Sequence, residues 1–275
     1  MRNCIIIAGA IFPIASLCIS ASAPAGDKNV VKRERVQLSL PIIIDAPLEE
    51  APRSVAFRTG EFWGGQPAHY RSAVTVDSAV PVPEIGPFTI IIPGDRLIEL
   101  QADSKSWRGS LYCRTEQRTK KLPPALLCLA DRDGDGRMDQ LWAGVAASLR
   151  FVIPYPELQS LRAIEPTGVR PFGDQAALAL QIGFYVSGTN PLLGQHHFYS
   201  MLSEKGEVGY VMSETHKAVS IKALPKELKV GGGTLRLTNY RKPDYEATIS
   251  AAYPTGEQSI VSQYPTQTIF VSIPG

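Results

Sequence analysis

Hydrophobic and polar residues alternate along much of this chain, and a period of two is typical of β-strands. The alternation over 36–40 predicts a half-buried strand that ends, or lies at a sheet edge, at Pro41. Between 178 and 186 apolar residues occupy every second position, which favours a strand although alanines are frequent there. The pattern therefore indicates a chain built mostly from strands.

Turn-forming residues divide these strands into hairpins. The segments 198–202 and 208–212 flank a turn that contains a glycine, and the segments 235–240 and 245–251 flank a turn that contains Pro243. Glycine supplies unusual backbone dihedrals and proline pre-sets one, so both residues mark tight turns. Each pair of segments is predicted to be antiparallel.

Three further apolar segments, 88–92, 125–130 and 268–273, are also predicted to be strands. The one segment with a helical signal is 156–162, where a proline stands in the first turn. The predicted fold class is therefore mostly β, with antiparallel β-sandwich-like sheets and short helices only.

The first 25 residues are typical of a secretory signal peptide. Arg2 is followed by a short apolar segment and then by small residues, with cleavage expected after Ala23 or Ala25. The apolar segment is shorter than the ~20 residues that a membrane span needs. A lipoprotein signal is disfavoured because Leu17 stands where a small residue should precede Cys18. We therefore expect an exported protein, periplasmic or extracellular, without a transmembrane span in the mature chain.

The rest of the chain has a predicted boundary near residue 166, where prolines and a glycine cluster. Residues 26–35 are interpreted as an N-terminal linker and 36–165 as a β domain. Residues 166–275 are either a second β domain or the second half of one large sandwich. The formal net charge is only +2, and there is no long basic stripe, so nucleic acid is not expected as a partner.

Export would leave two cysteines, Cys113 and Cys128, in the mature chain. A lone pair in an oxidising compartment is expected to form a disulfide, although two buried free thiols are the alternative. By chain entropy this bridge would stabilise the fold by about 3 kcal/mol.

The segment with the clearest chemistry runs from Asp131 to Asp139. It places aspartates at positions one, three, five and nine, with a glycine at position six that allows a sharp reversal. Calcium prefers six to eight hard oxygen ligands, and this spacing can bring several carboxylates together. The alternative is a solvated acidic turn that neighbouring arginines partly neutralise.

This segment resembles the calcium loops of EF-hands, dockerins and thrombospondin type 3 repeats. The resemblance implies a structural calcium ion with ligands at five positions: Asp131, Asp133, Asp135, the Arg137 carbonyl and Asp139. It covers nine residues and departs from the EF-hand at position twelve, where Trp142 replaces the bidentate acid. Because a strand precedes the loop, we expect a strand–loop–strand site of weak affinity.

The sequence contains no Gly-x-Ser-x-Gly elbow, P-loop or Gly-x-Gly-x-x-Gly fingerprint. Two adjacent histidines, His196 and His197, would point to opposite faces of a strand and so could not readily share a metal. The aromatic and glycine-rich segment 61–70 is interpreted as core, with a sugar-binding platform as the alternative.

These observations favour a non-catalytic exported β protein of the envelope or extracellular space, with calcium as a structural ion and an envelope protein or polysaccharide as the partner. A secreted hydrolase is the first alternative, with candidate residues Glu61, His69, His196 and Asp174. A partner-binding module that uses exposed strand edges is the second.

Overall fold

The structure is a computed structural model, and it describes residues 30–83, 90–103, 108–114, 125–145, 157–190, 195–204, 207–210, 217–261 and 267–273. The predicted signal peptide, residues 1–25, lies outside these ranges. Strands dominate the described residues, and only two short 3-10 helices, Gln175–Leu178 and Ile221–Ala223, accompany them. The predicted mostly β fold class is therefore confirmed.

Fifteen strands form one large sheet. They are β1 Val30–Ile44, β3 Phe62–Tyr70, β4 Ala73–Val76, β7 Leu97–Asp103, β8 Arg108–Arg114, β9 Ala125–Ala130, β10 Met138–Val145, β11 Glu157–Thr167, β12 Val169–Pro171, β13 Ala179–Asn190, β14 Gln195–Glu204, β15 Glu207–Tyr210, β16 Lys217–Ser220, β20 Gly256–Val261 and β21 Gln267–Ile273. The order along its main path is β12-β4-β7-β8-β9-β10-β11-β21-β1-β3-β13-β14-β15.

The remaining strands form two smaller sheets. The four-stranded sheet has the order β17-β18-β19-β2, and the two-stranded sheet pairs β5 with β6. Their strands are β2 Arg53–Arg58, β5 Val80–Pro81, β6 Ile90–Ile91, β17 Lys226–Val230, β18 Gly233–Arg241 and β19 Asp244–Ala251.

The main core lies between the four-stranded sheet and the large sheet. Alternate residues of β13 and β14, such as Phe184 and Phe198, belong to the same buried cluster as Leu235, Leu237 and Ile249 of the smaller sheet. The alternation predicted over 178–186 thus places its apolar face in this core. Burial of the two facing apolar surfaces holds the sheets together.

A second core cluster packs against the opposite face of the large sheet. Leu127 and Leu129 of β9 belong to it, whereas Leu126 and Cys128 belong to the main core. Strand β9 is therefore buried on both faces, and this explains why its sequence is continuously apolar instead of alternating.

The two predicted hairpins are present. Strand β14 pairs antiparallel with β15, and β18 pairs antiparallel with β19. The segments 125–130 and 268–273 are also strands, as predicted. Of the predicted strand 88–92, residues Ile90–Ile91 are in β6, and residues 88–89 lie outside the described ranges.

Three predictions about local structure were wrong. The segment 156–162 forms no helix where it is described, because β11 pairs with β10 on one side and with β21 on the other. Pro41 does not end β1, which continues to Ile44 while the Pro41 carbonyl accepts a hydrogen bond from the Arg71 amide. Residues 30–35, predicted to be linker, pair with β21.

Strand pairing crosses the predicted boundary at residue 166 in several places. Strand β13 pairs with β3, β12 pairs with β4, and β20 pairs with β1. Strand β2, from the first segment, completes the sheet formed by β17, β18 and β19. The two segments therefore share their sheets.

Candidate metal centre

The acidic loop joins two adjacent strands of the large sheet, β9 and β10. Their pairing begins at Ala130 and Gln140, so the aspartates lie at the tip of a hairpin. This is the strand–loop–strand arrangement predicted from the sequence. Residues 132–137 are exposed, and Met138 returns to the core.

A disulfide links β9 to β8 at the base of the hairpin. Cys113 and Cys128 are register partners in the β8–β9 pair, with their Cα atoms 4.0 Å apart. Both side chains are fully buried. The predicted bridge is therefore present and anchors the strand that enters the loop.

The loop brings three carboxylates together. Asp131, Asp133 and Asp135 each offer one oxygen, and these oxygens lie within 4.8 Å of one another. Gly134 and Gly136 have φ angles of 80° and 87°, in the left-handed region that favours glycine, so the backbone can reverse around the cluster.

Backbone amides hold the carboxylates in place. Asp131 accepts hydrogen bonds from the amides of Gly134 at 2.7 Å and Gly136 at 2.8 Å. Asp135 accepts from the Arg137 amide at 2.7 Å, and Asp139 accepts from the Arg132 amide at 2.9 Å. Each carboxylate oxygen keeps a second acceptor site that can face a cation.

Arg137 fixes the outgoing side of the loop. Its guanidinium donates a hydrogen bond to the Pro166 carbonyl at 2.5 Å, near the end of β11. The Arg137 side chain therefore extends toward the neighbouring strand β11. The calcium-loop resemblance assigns the backbone carbonyl of Arg137, and not its side chain, as a ligand.

The donor set fits a hard divalent cation, because it consists of carboxylate oxygens without nitrogen or sulfur ligands. Trp142, at the position of the missing bidentate acid, is only 3 % exposed and belongs to the main core. The loop itself therefore offers fewer ligands than an EF-hand, and water would complete the coordination.

The four candidate catalytic residues have separate surroundings. Glu61 is exposed beside β3, and the carboxylate of Asp174 caps a 3-10 helix by accepting a hydrogen bond from the Ala177 amide. The His69 ring lies 3.3 Å from the Asp45 carboxylate at a partly exposed position. Among the described contacts none joins two of these four side chains.

His196 and His197 lie on opposite faces of β14, as predicted. His196 is 1 % exposed and its Nδ1 contacts the Tyr245 hydroxyl. Burial, and to a smaller extent the nearby His197 imidazole, lowers the pKa of His196. Its surroundings are those of a core histidine.

The segment 61–70 is partly core, with three of its ten residues buried, six half-buried and Glu61 exposed. Strand β3 buries Gln66, Ala68 and Tyr70, and the Trp63 ring stacks on Phe184 with centroids 5.3 Å apart. The contacts of Trp63 therefore lie inside the protein, in agreement with the core interpretation.

Two ion networks, one partly exposed and one largely buried, were not predicted. Arg71 pairs with Glu99 and with Glu257. Arg96, 4 % exposed at its side chain, pairs with Glu204 at 2.5 Å, and Glu204 also accepts a hydrogen bond from the Tyr70 hydroxyl at 3.1 Å. The partners are up to 186 residues apart, so no spacing in the sequence could reveal them.

No protein family, curated protein or solved structure matches this chain. In the described ranges, no helix has the length and apolar character needed to cross a bilayer. Any functional assignment therefore rests on the residues themselves.

Proposed function

We propose that the chain is an exported, non-catalytic β protein of the envelope or extracellular space, whose β9–β10 loop binds a structural calcium ion. The observation that supports this proposal is the convergence of three aspartate oxygens within 4.8 Å at the tip of a disulfide-anchored hairpin. Asp139 and the Arg137 carbonyl would supply further ligands.

Calcium suits this loop better than the other common cations. Zinc and copper prefer histidine and cysteine ligands, and magnesium demands a strict octahedron and keeps its waters. An exposed, all-oxygen loop instead fits calcium, with a dissociation constant of about 10⁻⁴–10⁻³ M because one bidentate acid is lacking. Binding would relieve the repulsion between neighbouring carboxylates and stabilise the hairpin.

Thermal unfolding of the oxidised chain, with millimolar calcium and then with a chelator, tests the loop. A site at ten times its dissociation constant stabilises the folded state by about 1.4 kcal/mol, which raises Tm by a few degrees. Magnesium at the same concentration should have little effect. The Asp133→Asn variant should lose most of the calcium shift, because it removes one carboxylate from the cluster.

Asp244→Asn is the matched control. Asp244 is an exposed aspartate at the β18–β19 hairpin turn, outside the aspartate cluster. This variant should keep the full calcium shift. Equal Tm values with calcium and with chelator, up to about 10 mM calcium, would contradict the proposal.

Export is tested by intact mass and fractionation of the protein expressed in a Gram-negative host. We expect the mature chain to begin after Ala23 or Ala25, because both positions follow small residues. An uncleaved chain retained in the cytoplasm would contradict the localisation without affecting the calcium experiment.

A further inference from the structure

A small cavity, separate from the acidic loop, is lined by residues of the large sheet, the four-stranded sheet and the loops beside them. Its volume is about 90 Å³, and it opens beneath the segment 45–52, which connects β1 to β2. The inner wall is formed by Phe184, Ile249 and Tyr253. At the mouth, Leu48 is 83 % exposed.

Two successive glycines of β3 line the cavity. A Cβ at Gly64 would lie 3.0 Å from the Ile249 side chain, and a Cβ at Gly65 would lie 2.9 Å from the Gln181 side chain. Gly64 also has a φ of 71°, which favours glycine. Side chains at these positions would collide with Ile249, which lines the cavity, and with Gln181 next to β3, so the glycines allow close packing here.

Hydrogen bonds of Gln66 connect the parts of the frame around the cavity. The buried amide of Gln66 donates to the Asp45 carbonyl at 2.7 Å and to the Tyr253 carbonyl at 3.0 Å, and it accepts from the Tyr253 amide at 2.9 Å. Each of these groups has a hydrogen-bond partner. Gln66 thereby links the start of the segment 45–52 to Tyr253 in the inner wall of the cavity. A ligand would find a preformed site and would lose little free energy to ordering it.

Both charges at the mouth belong to one ion pair. The Arg53 guanidinium lies 2.7 Å from the Glu49 carboxylate, and their side chains are 29 % and 67 % exposed. Exposed ion pairs contribute little to stability, so a ligand that bonds to both partners can open this one at low cost. Arg53 can bind a carboxylate through two parallel hydrogen bonds, while Glu49 can accept from an ammonium.

We propose that this cavity binds a free α-amino acid with a short aliphatic side chain. Its carboxylate would bond to Arg53, its ammonium would bond to Glu49, and its side chain would enter the apolar interior against Phe184. The volume sets the upper size, because a cavity of about 150 Å³ accommodates benzene and 90 Å³ is suited to a smaller, branched aliphatic group.

Isothermal titration calorimetry of the oxidised full chain tests the proposal. Leucine and valine should bind saturably, at least about tenfold more tightly than three probes that each lack one feature. Relative to leucine, glycine lacks the aliphatic side chain, 4-methylpentanoate lacks the ammonium, and isoamylamine lacks the carboxylate. Equal affinity for leucine and 4-methylpentanoate would overturn the amino-acid assignment.

Variants of the chain locate the binding. Arg53→Gln and Glu49→Gln should each weaken leucine binding about tenfold or more. Arg58→Gln is the matched control, because Arg58 lies on the same strand and pairs with the exposed Asp244 at 3.2 Å. Its affinity should stay within about twofold of the unchanged chain.

A filling variant tests the interior. Ala252→Leu places a larger side chain on the cavity wall and should abolish leucine binding while the protein still unfolds cooperatively. If Ala252→Leu does not fold, the leucine affinities of Arg53→Gln and Arg58→Gln by themselves decide whether leucine binds at this cavity. Absence of saturable binding of leucine and valine up to about 20 mM, or equal losses in the Arg53 and Arg58 variants, would overturn the proposal.

Discussion

At the scale of single residues, the mainly apolar interior of this protein also contains buried polar groups such as Gln66 and His196. Gln66 is 3 % exposed and makes three hydrogen bonds, so its burial is compensated. His196 is less completely satisfied. Its Nδ1 contacts Tyr245, whereas its buried Nε2 has no hydrogen-bond partner among the described residues.

His196 should make stability dependent on pH. Its folded-state pKa is lowered from 6.5, mainly by burial. Above pH 6.5 the ring is neutral in both states, and the full stability is present. As pH falls below 6.5, His196 becomes protonated in the unfolded state while it stays neutral in the folded state. The free energy of unfolding should then fall by up to about 1.4 kcal/mol per pH unit, until the folded-state pKa is reached.

Urea denaturation between pH 7.5 and pH 5 measures this effect. The His196→Phe variant should lose part of the slope, because it removes the titrating ring. Phe198→Leu is the control, since Phe198 is buried on the same face of β14 and also contacts Tyr245. It should lower stability by about 1 kcal/mol equally at all pH values. An unchanged slope in His196→Phe would contradict the assignment.

At the scale of elements, the hairpin β9–β10 combines a buried base with an exposed tip. Leu127, Cys128 and Leu129 are fully buried, while residues 132–137 are exposed. The base is thus held by both core clusters and by the disulfide to β8. At the acidic tip, aspartate carboxylates accept hydrogen bonds from loop amides, and Arg137 donates to the Pro166 carbonyl.

Removal of the disulfide should destabilise the protein without unfolding it. The bridge joins residues 15 positions apart, and by chain entropy its loss should lower the free energy of unfolding by about 3 kcal/mol. The Cys113→Ala, Cys128→Ala double variant and the reduced unchanged chain are compared by urea denaturation. Reductant should destabilise the unchanged chain and leave the double variant unaffected. Equal stability of oxidised and reduced protein would contradict this expectation.

At the scale of the whole molecule, ion pairs connect segments that are distant in sequence. Arg96 precedes β7, Tyr70 ends β3, and Glu204 ends β14; Arg96 also donates to the Ala177 carbonyl in the first 3-10 helix. Burial, and next the Glu204 carboxylate, raises the pKa of the Tyr70 hydroxyl, which therefore stays protonated as a donor. The network ties elements on both sides of residue 166.

Removal of one charge from this network should lower the free energy of unfolding. Glu204→Gln leaves the Arg96 charge buried with a neutral partner, and we expect the free energy of unfolding to fall by about 3–5 kcal/mol. Arg96→Met combined with Glu204→Leu removes both charges and should recover much of that loss. Urea denaturation of Arg96→Met, Glu204→Leu and their combination completes a double-mutant cycle that measures the coupling. Additive losses in the double variant would contradict a coupled pair.

The fold class could be predicted because side-chain period is a local property. Alternation over 178–186 and the turns before Val208 and Tyr245 depend on residues that are neighbours in sequence. The secondary-structure prediction failed where pairing with distant strands determines the conformation. The segment 156–162 has a weak local preference, and strands β10 and β21 supply hydrogen-bond partners on both sides of it. Tertiary strand pairing overrides the local secondary-structure propensity of this segment.

The sequence by itself determined the strand-rich architecture, the two cysteines that form the bridge, and the aspartates of the acidic loop. These features depend on composition and on spacings below about 16 residues. Only the tertiary structure decided how the strands share sheets across residue 166, which charges pair, and that a cavity lies between Arg53 and Phe184. These features join residues far apart in the chain, and their contacts arise from packing, which one sequence does not encode in any local pattern.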